Sequence, residues 1–448
     1  MTLSDLDQLS ESLCKIRIER RVGQVSRVST GSVEASGLAV RARLGDGVTI
    51  KAARGGTVAG EIVAISPRSA TIMTIGAETP LAIGDQVELD PQTGLNPGPH
   101  WIGRLIGADG TPLDGRPLAP GPEEVPLRRK PPDAALRKPL GARVSTGLAA
   151  MDTLLPLAKG QRVGIFAGSG VGKTTLLAAL ARGVAADHVV IGLIGERGRE
   201  VREFVDNVLG EEGMARATVI AATSDQSPLL KRRAAWAATA VAEYYRDTGS
   251  HVLLILDSLT RFAEAHREIA LTAGEPPSLR AFPPSITNAI AALAERSGPG
   301  PSDVGDITAV YSVLVQGSDM DEPVADITRG VLDGHIILER RIAERGRFPA
   351  IDIRRSVSRS LPGVASAPEN LLIAEARRDL AIYEDAEAMI QAGLYTAGSD
   401  PEIDRAIQRW PRLDAFAAKT GLASPDHSFA ELSEALGHDE QKTAEEST

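Results

Sequence analysis

The sequence predicts a multidomain α/β protein: a small N-terminal β domain, a central domain with a mostly parallel sheet, and a helical C-terminal domain. Three observations carry this. Short β-branched segments separated by Gly, Pro and Ser recur from Arg21 to Leu89. From residue 160, apolar runs alternate with helical stretches, and from about 366 the chain turns rich in Ala, Glu, Leu and Arg. At 448 residues the chain also exceeds what one hydrophobic core serves, so two or three domains are expected.

Residues 1–20 carry an apolar stripe at helical spacing, Leu3, Leu6, Leu9, Leu13 and Ile16, with charges that cancel. A membrane-surface helix is usually more basic, so docking on a partner protein or on the body of the protein is favoured over membrane contact. Residues 21–96 form the β domain, with strands expected over 22–28, 47–52, 61–65, 70–75 and 86–89, as a small barrel or sandwich. The central domain is assigned 97–365. Its first part, 97–145, is rich in Pro and Gly, carries the basic knot Arg128-Arg129-Lys130, and reads as a surface connector. Strands are expected over 162–167, 189–194, 218–222, 252–256, 307–315 and 335–338. In such sheets ligands bind beyond the carboxyl ends of the strands, so residues just after these runs are the ones to examine. Residues 366–424 are assigned to helices and 425–448 to a tail without stable order.

Composition narrows the function. A net charge of -10 and 3% aromatics disfavour a broad nucleic-acid surface or a base-stacking platform. The single cysteine, Cys14, excludes an internal disulfide and suits a reducing compartment. The seven histidines show no metal-ligand spacing. No apolar run approaches a membrane span and no signal-peptide core opens the chain, so a cytoplasmic protein is expected.

The run 162–167 leads into Ala167-Gly168-Ser169-Gly170-Val171-Gly172-Lys173-Thr174-Thr175, followed by the helical 176–180. Glycines there let backbone N–H groups approach phosphate oxygens, and the new helix offers its positive end. Gly168 to Thr175 thus form an ATP-binding P-loop, in which Lys173 reaches the β- and γ-phosphates and the Thr174 hydroxyl ligates Mg²⁺. Ala167 stands where the motif has its first glycine, a position that tolerates a methyl. A chance glycine-rich turn is the bland alternative, opposed by the strand before and the helix after. Asp257 ends the buried run 252–256, as a water-mediated Mg²⁺ anchor or a helix N-cap, roles that are compatible. After 189–194 comes Gly195-Glu196-Arg197-Gly198-Arg199-Glu200. Glu196 is the natural general base there, and Arg197 could contact phosphate or hold Glu196, although a solvated charged loop reads equally well. Arg261, one turn past Asp257, is a weaker candidate.

Longer motifs then add a resemblance. The segments 195–201, 256–263 (Leu256-Asp257-Ser258-Leu259-Thr260-Arg261-Phe262-Ala263), 274–277, 317–323, 332–338 and 348–352 resemble the signatures of type III secretion ATPases. That family is related to the rotary ATP synthase α and β subunits. The likeness runs over about residues 20–420 and is greatest to the flagellum-specific export ATPases. It implies a β-barrel, a RecA-like catalytic domain and a helical C-terminal domain. Position by position, it implies that Glu196 activates water, that Phe348 packs on adenine, and that Arg359 in Ser356-Val357-Ser358-Arg359 is an arginine finger acting in a neighbouring subunit. From the residues alone, a core Phe348 and a salt-bridging Arg359 would be the default. Two departures stand out: Gln316-Gly317-Ser318-Asp319 where relatives usually have Glu-Gly-Asp-Asp, and Ala281-Phe282-Pro283-Pro284 where they usually have Gly-Tyr-Pro-Pro.

Glu196 and Arg359 lie on one chain, so a closed head-to-tail ring of identical subunits, a homohexamer, would let each site borrow its neighbour's arginine. The resemblance further implies a stator-like regulator at the N-terminal region, a central coiled-coil stalk protein, export chaperones and cargo, and a membrane export gate at the flagellar base. An injectisome ATPase is the nearest alternative, an RNA-translocating hexameric helicase a distant one, and a purely structural ring component the last.

Overall fold

The computed structural model describes residues 22–38, 42–76, 80–90, 94–315 and 319–438. The apolar stripe of 1–20, the Gln316-Gly317-Ser318 departure and the last ten residues lie outside them.

Six antiparallel strands, β1 (Val22–Ser29), β2 (Ser32–Ser36), β3 (Gly47–Lys51), β4 (Thr57–Ile65), β5 (Ser69–Ile75) and β6 (Gln86–Asp90), close a barrel in the order β1-β2-β5-β4-β3-β6. Alternate residues point inward, so Val25, Val33, Ile50, Ile62, Ile72 and Val87 fill it. Closure decides between barrel and sandwich. β2 was not foreseen, because its serines at both ends read as turn residues. The compact unit built on the barrel also takes in Ser227–Leu229 and His266–Ser278, and within it Met73, Leu229 and Ile269 share a small apolar cluster.

The second unit is built on a sheet of β7 (Arg104–Gly107), β8 (Arg162–Ala167), β9 (His188–Glu196), β10 (Ala217–Thr223), β11 (His251–Asp257), β12 (Asp306–Leu314), β13 (Gly334–Leu338) and β14 (Ile351–Ser358). Their order is β14-β13-β8-β12-β11-β9-β10-β7, with the two-residue strand Gly298–Pro299 beside β12. Neighbours on this path are parallel except at the β13–β14 edge. Both faces are covered, so the central strands are apolar throughout instead of alternating. On β11, Leu253 and Ile255 enter one core while Val252, Leu254 and Leu256 enter the other. Helix α1 (Lys173–Gly183) supplies Leu176, Leu177 and Leu180 to the first core. Helices α2 (Pro228–Asp247), α3 (Leu259–Thr272) and α4 (Ser285–Ala294) supply the second with Ala238, Val241, Phe262 and Ile290.

Within 97–145, the part up to Ala108 departs from the expected surface connector, while 109–141 runs over the surface apart from Val125 and Leu127. Trp101, Ile106 and Leu127 are buried, and β7 extends the sheet beyond β10. Arg104 inside β7 is neutralised by a two-pronged pair with Asp114, at 2.6 and 2.9 Å, whose carboxyl it holds far below the usual range. The basic knot is likewise used internally: the Arg128 guanidinium sits 4.5 Å from the Trp236 ring centre, and Arg129 pairs with Asp247.

After β14, helices α5 (Ala367–Gln391), α6 (Pro401–Ala417) and α7 (Pro425–Leu436) follow. Ser366 and Glu369 form a reciprocal cap on α5. The expected unordered tail from 425 is wrong over α7: Phe429, Leu432 and Leu436, three to four residues apart, are buried in the first core. Ser424 caps the helix, and Ser428 Oγ donates to Asp152 at 3.1 Å. A narrow apolar stripe among acidic residues hid this helix.

Candidate active site

Register brings the chemistry to one edge of the sheet. Ala167, at the carboxyl end of β8, pairs with both Leu314 and Leu338, and Leu193 near the end of β9 pairs with Asp257. Loops leaving β8, β9, β11 and β13 therefore emerge side by side. The segment 168–172 turns directly into α1, with Gly170 at φ +79° and Gly172 at φ +88°, left-handed values that glycine adopts freely. The N–H groups of Gly170, Val171 and Gly172 have no backbone acceptor among the described residues, which leaves them as donors at a helix N-terminus. A Cβ on Gly172 would also meet the Phe348 ring at 3.2 Å.

Lys173 Nζ pairs with Asp257 Oδ1, and Ser312 Oγ donates to the same oxygen at 2.5 Å. Asp257 is thus held from one neighbouring strand and a helix. Sequence reasoning missed Ser312, which sits mid-strand in β12 with nothing in its spacing to mark it. Thr174, Thr175, Glu196, Glu200 and Asp257 line a cavity of about 340 Å³ beside the loop. The Thr174 hydroxyl and the Asp257 carboxylate are hard oxygen donors, and they fit a small divalent cation such as Mg²⁺. Such a cation would draw the rest of its oxygen ligands from phosphate and water.

Glu196 ends β9 at the cavity wall. Its carboxyl is pushed up to about 7, first by burial, then by the negative charge of Asp257, with Lys173 opposing and a hydrogen bond with Glu200 adding to the rise. A carboxyl that exchanges its proton near neutrality suits acid–base work. Glu200, one helical turn past Glu196 and given no role by its place in the sequence, faces the same space.

Two residues stand elsewhere. The Arg197 side chain is 78% exposed and pairs with Glu200 at 3.3 Å, so the structure brings it neither to the phosphate loop nor onto Glu196. Arg359 follows β14 at the far end of the sheet: Ser358 pairs with Gly334 at the start of β13, whereas Leu338 at its end pairs with Ala167. Four residue steps lie between, about 13 Å of strand. The Arg359 guanidinium donates to Leu332 O at 3.0 Å. Phe348, by contrast, lies against the loop at Gly172 with 49% of its surface exposed. Arg261 packs against Gly195 and pairs with Glu264 at 2.9 Å.

A parallel sheet with a phosphate loop, a carboxylate at the end of a neighbouring strand and a proton-exchanging glutamate across the cavity defines a P-loop nucleotide hydrolase. Residues 147–358 match the ATP synthase alpha/beta family, nucleotide-binding domain, and residues 365–433 match the T3SS EscN ATPase C-terminal domain. The chain is 43% identical over 423 residues to the flagellum-specific ATP synthase of Caulobacter vibrioides, covering 92% of this chain and 95% of that one. It is 43% identical over 379 residues to the SPI-2 type 3 secretion system ATPase of Salmonella typhimurium, covering 84% and 87%. The assembled ATPase EscN from the enteropathogenic E. coli type III secretion system superposes with a TM-score of 0.86 at 36% identity, covering 92% of this chain and all of that one. EscN has also been solved in complex with its central stalk EscO, with a TM-score of 0.83. The chain belongs to the ATP synthase α/β family, in its type III secretion branch, and it is an ATPase.

Proposed function

We propose that this ATPase serves a flagellar protein-export apparatus, coupling Mg-ATP hydrolysis to the release or unfolding of export substrates. The observation that supports the flagellar branch is the recurrence of flagellum-specific relatives, at 43%, 41% and 41% identity over 423, 427 and 425 residues in Caulobacter vibrioides, Bacillus subtilis and Salmonella typhimurium. The catalytic reading rests on the Glu196 carboxyl, raised to about 7 at the wall of the phosphate-loop cavity. Gly168 to Thr175 bind the phosphates, Lys173 neutralises charge on them, and the half-exposed Phe348 ring offers its face to adenine. Thr174 and Asp257 would hold the Mg²⁺ that accompanies ATP, which shields phosphate charge. Ionised Glu196 accepts the proton of the attacking water, and the raised affinity of its carboxyl makes that transfer favourable near neutral pH. Arg197, paired with Glu200 at the rim, orients this acidic side of the cavity from outside.

Arg359 completes the site of the next subunit in a homohexameric ring, since its distance from its own loop leaves it no partner role there. The solved EscN–EscO complex supports a central stalk partner for this chain, and the branch supports an N-terminal stator-like regulator, chaperones with cargo, and an export gate. No helix among the described residues is long and apolar enough to cross a membrane, which fits a peripheral place beside that gate. Deleting the gene tests the branch. Loss of motility with effector secretion intact is expected, whereas the reverse pattern assigns the chain to an injectisome. A Glu196→Gln variant hydrolysing ATP at the wild-type rate would overturn the catalytic assignment.

A further inference from the structure

The connection between β13 and β14 touches the phosphate loop near both of its ends. Glu339 N–H donates to Ala350 O at 2.9 Å and closes the base of this excursion. Near its end, Phe348 covers Gly172. Near its beginning, Arg340 Nη2 donates to the carbonyl oxygen of Ser169 at 3.2 Å. Arg340 arrives there because Leu338, two residues earlier, pairs with Ala167, the last strand residue before the loop.

A trans peptide sets its C=O and N–H on opposite sides. Fixing the Ser169 carbonyl toward Arg340 therefore turns the Gly170 N–H the other way, at a residue whose φ is +79°. Three glycines in the five residues 168–172 leave this loop much conformational freedom to lose when a ligand binds. A charged donor seated on one carbonyl removes part of that loss in advance. We propose that Arg340 is a positioning residue that pre-forms the row of N–H donors for the phosphates nearest the loop, those shared by ADP and ATP. This rests on the loop being the phosphate site of the nucleotide. Arg340 acts through the backbone and does not touch the γ-phosphate.

The test uses the full chain with Arg340→Ala, Arg340→Lys and Lys173→Ala, measuring affinity for Mg-ADP and for a Mg-bound non-hydrolysable ATP analogue. Arg340→Ala is expected to weaken both ligands by the same factor, about fivefold. KM for ATP should rise in step, with kcat changed by less than about twofold and the melting temperature unchanged. Arg340→Lys should recover part of the loss, because an ammonium also reaches a carbonyl. Unchanged affinities overturn the proposal. A loss confined to the ATP analogue overturns it too, since that marks a γ-phosphate ligand. A lowered melting temperature in both variants, without rescue by lysine, assigns Arg340 a structural role instead. Lys173→Ala separates the premises: if it binds ADP as tightly as wild type, the reading of the loop fails and takes the Arg340 proposal with it, whereas weakened ADP binding there beside unchanged binding in Arg340→Ala overturns the role of Arg340 alone.

Discussion

Glu196 holds its proton more tightly in the folded protein than in the unfolded chain, about 7 against 4.5. Between those values the native state carries a proton that the unfolded state has lost, so stability falls as pH rises through that window. Glu196→Gln removes the penalty. It should abolish hydrolysis and, at pH 8, stabilise the protein by about 1 kcal/mol after solvent screening, with no gain at pH 4. Paired denaturant melts at the two pH values check this. For the wild type, kcat/KM should rise with pH across an apparent pKa near 7, as the base ionises. Ala281 shows the opposite kind of cost. It stands at φ +72°, a left-handed value that a methyl resists. Ala281→Gly should stabilise the protein by about 1 kcal/mol without changing KM, as read by thermal melting with steady-state kinetics.

At the scale of elements, the strands feeding the site were legible because a strand buried on both faces needs an unbroken apolar run. The runs 162–167 and 252–256 are of that kind, and each became a strand. Edge elements were not. β7 has four residues and carries Arg104, whose burial depends on Asp114 ten residues later, while β14 carries Arg354 and Arg355 in mid-strand. α7 was hidden because its stabilisation comes from the core it meets rather than from its own composition. Leu432→Ala should therefore cost about 3 kcal/mol in a denaturant melt, a value foreign to an unordered tail.

For the whole molecule, the separation of Arg359 from its own phosphate loop leads to a test by mixing. Glu196→Gln and Arg359→Ala subunits, each inactive alone, should regain about a quarter of wild-type activity when co-assembled, because one interface in four joins an intact glutamate to an intact arginine. Mixtures no more active than either parent would refute a finger acting between subunits. Specific activity of the wild type should also climb with protein concentration as the ring assembles, and a flat dilution series would oppose the ring.

The sequence by itself determined the chemistry that depends on order along the chain. A phosphate loop needs a strand, spaced glycines, a lysine and a helix in succession, so Gly168 to Thr175 were readable as they stand, and Asp257 and Glu196 followed from lying just past apolar runs. Only the tertiary structure decided what depends on proximity between distant segments. Ser312 on Asp257, Arg340 on Ser169 and Phe348 over Gly172 are contacts across 55, 171 and 176 residues of chain. Strand register creates them, and register is a property of the sheet that no local run of residues expresses.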